Sequence, residues 1–160
     1  MVASSIGLIT LTALAAFTSY TGRSFIAMGN YVDLDRASRN ALDYMTKDIR
    51  QTQRLNAYAT NRLDFLDQDG AILSYIYDSG NRTLTRSLGS TNKVLLTECD
   101  ELQFSIFQRN PVGGTYDQYP TATVTNTKLV QVTWTCSRKI IGAKVNTESV
   151  QTAKIVIRKQ

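Results

Sequence analysis

The chain is expected to be an α+β protein, a long N-terminal α-helix packed on an antiparallel β-sheet head. Three observations predict this. Residues 1–22 contain no charged side chain. Residues 31–58 are apolar at steps of three and four, the helical period. Beyond Asn61 the pattern turns to short alternating runs separated by turn residues, the signature of strands. The chain therefore divides into an apolar half-helix (1–22), an amphipathic half-helix (23–60) and a β-rich head (61–160).

The first element reads MVASSIGLITLTALAAFTSYTG, and Arg23 is the first charge. Ile6, Leu8, Ile9, Leu11, Leu14 and Phe17 supply its greasy surface. About 20 apolar residues, at roughly 1.5 Å rise each, cross the hydrocarbon core of a bilayer. Small residues such as Gly7, Ala13 and Ala16 allow helices to approach closely in a membrane or filament. Two other readings stand beside this one: a cleaved secretory leader, which would carry a basic start that is missing here, and a buried helix of a soluble protein.

The second element is one-sided. Leu34, Ala37, Ala41, Met45, Ile49 and Thr52 form one stripe. Asp35 with Arg39, and Asp43 with Lys47, stand at i,i+4 with the acid first, the favourable order on a helix surface. The first proline is Pro111, so nothing forces the two halves apart, and one helix of some 50 residues is predicted. A helix apolar on all sides that then becomes one-sided asks for two environments in succession.

In the head, strands are expected over 62–67, 71–77, 83–87, 94–96, 102–109, 128–137 and 151–158. Asp69-Gly70 and Ser79-Gly80-Asn81 supply turns. Val130, Val132, Trp134 and Cys136 share one face of a strand, as do Ala153, Ile155 and Ile157. The stretch 108–126 holds both prolines and a Gly113-Gly114 pair and reads as a long loop, with Tyr116 and Tyr119 as candidate anchors for a partner.

The inventory of reactive groups leans away from catalysis. The absence of histidine removes the commonest general base and the commonest metal ligand. Two cysteines alone do not build a four-ligand zinc site. Asp67-Gln68-Asp69-Gly70 lacks the remaining ligands of a calcium loop and reads as a hairpin turn. Ser90-Thr91-Asn92-Lys93 matches a nucleophile pattern whose partner motifs are missing. Neither a catalytic residue nor a cofactor is expected, and an enzyme is not. Cys99 and Cys136 are either two buried thiols or a disulfide; a head outside the cytoplasm favours the bond, worth roughly 4 kcal/mol on the chain-entropy estimate for a loop of about 38 residues. The net charge of +5 is scattered without a basic–aromatic stripe, so nucleic acid is not an expected partner, and a DNA-receptor role stands only as an alternative.

MVASSIGLITLTALAAF followed by GRSFIAMGNYVDLDRASRNALDYMTKDIRQTQRL resembles the N-terminal helix of type IV minor pilins and type II secretion minor pseudopilins, above all the J-type pseudopilin and the W-type minor pilin. AILSYIYDSGNRTLTRS, ELQFSIFQRN and KLVQVTWTCSR resemble strands of their heads. The basic leader, the cleaved Gly and the Phe-Thr-Leu-x-Glu start of that family have no counterpart in these residues, so no cleavage or methylation site is carried over. The resemblance implies a single-pass protein of the bacterial inner membrane with a periplasmic head. It also implies a place in the tip or priming complex of a pseudopilus or pilus. Its partners would be other minor and major pilins, the inner-membrane assembly platform and, before assembly, the lipid bilayer.

Overall fold

The sequence folds as one helix followed by two antiparallel sheets, an α+β architecture. The computed structural model describes residues 2–109, 118–120, 123–140 and 148–157. Helix α1 runs unbroken over Val2–Gln51. Its C-terminal part carries the predicted stripe into the core: Leu34, Ala41, Met45, Ile49 and Thr52 are buried, and Ser38 joins them. Each large apolar side chain removed from water in this way contributes roughly 1.5–3 kcal/mol.

The helix ends at Gln51, earlier than the expected boundary at residue 60. The Thr52 hydroxyl folds back to donate to the Ile49 carbonyl at 2.8 Å, and the Gln53 N–H donates to the Leu66 carbonyl at 2.8 Å. Strand β1 (Arg54–Ala59) then pairs antiparallel with β2 (Arg62–Leu66), setting Leu55 opposite Phe65. Residues 54–59 have no strong helix breaker; a buried pairing partner outweighs their weak local preference.

Five strands form the first sheet in the order β1-β2-β3-β4-β5, with β3 at Ile72–Asp78, β4 at Thr83–Leu88 and β5 at Thr91–Leu96. Gly70, at φ +79°, makes the tight β2–β3 turn that Asp69-Gly70 predicts. Strand β5 begins earlier than the polar residues suggested, because Thr91, Asn92 and Lys93 pair with Leu88, Ser87 and Arg86. The second sheet has the order β7-β6-β8-β9, with β6 at Cys99–Arg109, β7 at Gln118–Pro120, β8 at Leu129–Ser137 and β9 at Glu148–Val156. The stretch 108–126, expected to be a long loop, contains β7 and a 3-10 turn at Val124–Asn126 within its described part.

The core lies between the sheets and the helix. Phe65, Tyr75 and Leu84 from the first sheet meet Phe104, Val132 and Trp134 from the second, closed by Met45 and Ile49 of α1. The helix lies along β5 and β9, one edge strand of each sheet, and so bridges the two sheets along these edges.

Candidate functional site: an exposed apolar helix held on the head

Among the described residues, the apolar N-terminal half of α1 buries no side chain against the head. None of residues 5–33 is buried, and Ile6, Leu8, Ile9, Leu11, Leu14 and Phe17 are between 58% and 68% exposed. This one helix is long and apolar enough to cross a membrane. Val2–Gly22 reaches about 31 Å at 1.5 Å per residue, close to the thickness of a hydrocarbon core.

Its hydroxyls are compatible with an apolar surround. Thr10, Thr12, Thr18 and Thr21 each donate to a carbonyl one turn back, at 2.8–3.2 Å. Those side chains therefore carry their own acceptors into a medium without water. Tyr20 and Arg23 follow, the residue types that sit at headgroup level.

The exposed apolar surface extends further than the uncharged segment suggested. Phe25, Ile26, Met28, Tyr31 and Val32 are all exposed beyond Arg23. Their positions do not keep to one stripe, and that broken period is the sequence signal for a surface other than the head's own core.

Where the helix meets the head, it is fixed by polar contacts as well as packing. The Asp48 carboxylate accepts from Tyr75 at 2.8 Å and from Arg86 at 2.5 Å, with both charged side chains under 20% exposed. Burial, reinforced by the Asp48 charge and hydrogen bond, pushes the Tyr75 phenol far above its ordinary pKa. The hydrogen bond from Arg86 to Asp48 raises the guanidinium further still. Higher on the helix, Trp134 donates its indole N–H to the Ser38 hydroxyl at 3.1 Å, both groups being buried. Arg138 reaches from the end of β8 to Glu98 at 2.8 Å and to Asp33 at 3.4 Å, near the point where the helix leaves the head. None of these partners was legible in the sequence, since 27 to 105 positions separate them.

Tyr119 is exposed on β7, opposite Gln108, and Tyr116 lies outside the described residues. A second exposed head feature is a groove of about 400 Å³ between α1 and β5, where the Lys93 ammonium stands 3.7 Å from the centre of the Tyr44 ring. That ammonium draws the exposed Tyr44 phenol below its ordinary range, chiefly through a hydrogen bond. Cys99 and Cys136 lie opposite one another across β6 and β8, both buried and with free thiols. The largest exposed apolar feature among the described residues is thus the bare half-helix, and polar contacts join the following half of α1 to the head. No protein-family model and no curated protein matches the chain.

Proposed function

We propose that this chain is a non-enzymatic minor pilin or minor pseudopilin subunit. Residues 1–22 hold it in the bacterial inner membrane with the head in the periplasm. From there it joins the tip or priming complex of a type II secretion pseudopilus or a type IV pilus. The observation that carries the reading is a single unbroken helix, free of charge over residues 5–22, unburied over 5–33 and one-sided from Leu34 onward. The resemblance of its sequence to pilin helices supports the same conclusion.

Such a helix serves in two surroundings: lipid before assembly, the helices of neighbouring subunits afterwards. Both accept an apolar circumference whose threonine hydroxyls are satisfied internally. The head contributes exposed surfaces to neighbouring pilins, and Tyr119 and the Tyr44–Lys93 groove are the ones we assign.

Expression of the full chain in a bacterium tests the reading. The protein should remain in the membrane pellet through alkaline carbonate, and its head should be digested only when protease reaches the periplasmic side. A photo-crosslinker in place of Leu11 or Phe17 should give adducts with other pilins when the assembly machinery is present. The head core closes from Leu34 onward without residues 1–22, an arrangement that also suits an exported β-rich binding protein or enzyme with a cleaved leader. A freely soluble product that has lost about 20 N-terminal residues would establish that alternative and overturn the pilin reading. Binding to DNA that weakens steeply as salt rises would assign a DNA-receptor role instead.

A further inference from the structure

Cys99 opens β6 and Cys136 is the penultimate residue of β8. The register places the two residues directly opposite. The Ser137 N–H donates to the Glu98 carbonyl at 3.0 Å, while the Cys99 N–H donates to the Arg82 carbonyl at 2.9 Å. The ladder bond therefore flanks the cysteines, which makes them a non-hydrogen-bonded pair, the kind whose side chains come closest. Such pairs have Cα atoms about 4.5 Å apart, inside the roughly 4.4–6.8 Å that a disulfide spans. The Cys99 thiol donates to the Glu101 carbonyl at 3.3 Å.

Access to this pair is closed. Cys99 is 0% and Cys136 1% exposed, and Cys136 is also paired on its other side with Ser149 of β9. The surroundings are also well filled. The Tyr77 hydroxyl lies 3.1 Å from the Cys99 carbonyl and donates to the Asp100 carbonyl at 2.9 Å. Arg82 donates to the carbonyls of Glu98 and Ser137, both at 3.0 Å. Arg82 and Glu98 hold φ of +55° and +59°, conformations that non-glycine residues adopt only when the structure around them insists. The chain thus makes two strained turns around the cysteines. The neighbouring Cys136 thiol, together with burial, pushes the Cys99 thiol up, while Cys99 in turn draws the Cys136 thiol down.

We propose that Cys99 and Cys136 are the site of a disulfide that closes during folding, by exchange with a small-molecule or protein disulfide, and is then sealed in by the sheets. One cysteine thiolate attacks the oxidant's disulfide, forming a mixed disulfide and releasing one oxidant thiol. The second cysteine thiolate attacks the chain's sulfur in that mixed disulfide and expels the other oxidant thiol. Two electrons pass to the oxidant, and two protons leave the cysteines and end on its two thiols. The mixed disulfide needs room beside one sulfur, and in the finished head both cysteines are buried. The bond is thus a one-time latch, and this chemistry holds whether or not the chain is a pilin.

The full chain in mild detergent provides the test. It is unfolded with reductant and refolded in two ways: with reduced and oxidised glutathione present throughout, or under reductant with oxidised glutathione added only after folding. Intact mass in denaturant should show the loss of two hydrogens in the first case, with a 99–136 cross-linked peptide. The second case should leave both thiols free and resistant to iodoacetamide until the chain is unfolded. Trp134 fluorescence of a C99A/C136A variant checks that the sheets form without the cysteines. Two free thiols after the first protocol would overturn the bond. Closure in the second protocol as fast as in the first would overturn the seal.

Discussion

Asp48 is the residue on which the junction of helix and head depends most. Its carboxylate serves Tyr75 and Arg86 together in a largely buried position. Asp48→Asn leaves a partly buried guanidinium without its counter-charge and should cost about 2 kcal/mol, read as a lowered urea midpoint of the full chain in detergent. Tyr75 adds a pH dependence whose sign follows from its raised pKa. A phenol that resists ionisation in the fold supports the folded state below its free value, about pH 10, and withdraws that support as the pH climbs above it. The urea midpoint should hardly change between about pH 7 and 9 and fall beyond about pH 10, and Tyr75→Phe should make that fall shallower. Ser38 is a subtler case, a small polar residue inside an apolar stripe. Ser38→Ala removes the acceptor of the Trp134 indole and should destabilise the chain by about 2 kcal/mol, measurable on the same denaturation curve.

At the scale of elements, the two halves of α1 respond differently to the same kind of change. Leu11→Arg should leave the urea midpoint in detergent within about 0.5 kcal/mol of the parent, because Leu11 is exposed. The same substitution places a charge near the middle of the span, at about 2.5–3.5 kcal/mol, and should move protein out of the carbonate-resistant membrane fraction. Met45→Ala should behave in the opposite way, destabilising the head by about 2–5 kcal/mol with membrane retention unchanged. The contrast between the halves was readable in the sequence, because charge and a 3.6-residue period are local properties. The end of the helix was not, since residues 54–59 become strand only when β2 lies beside them. The start of β5 was hidden for a related reason. Thr91, Asn92 and Lys93 look like turn residues, and pairing with β4 decides their state. The cysteines were visible as a pair of residue types, but their exact opposition depends on the β6–β8 register across 37 positions of chain.

For the molecule as a whole, the helix segment apolar enough to cross a membrane and the folded core are separate stretches of one chain. A chain starting at Arg23 should lose membrane retention and still unfold in a single cooperative transition, followed through Trp134 fluorescence, since every residue of the core lies at or beyond Leu34. Loss of that transition would mean that the apolar half stabilises the head as well. Their joint is mechanical in character. The 50 residues of α1 form a rod of about 75 Å with no internal proline, seated along an edge strand of each sheet and pinned at Ser38 and Asp48. A pull on the free end acts along the rod, so it loads these pins and the buried stripe together in shear. Peeling would break them one after another at far lower force. On the proposed reading, a subunit drawn from a bilayer by its tail would arrive with its head still folded.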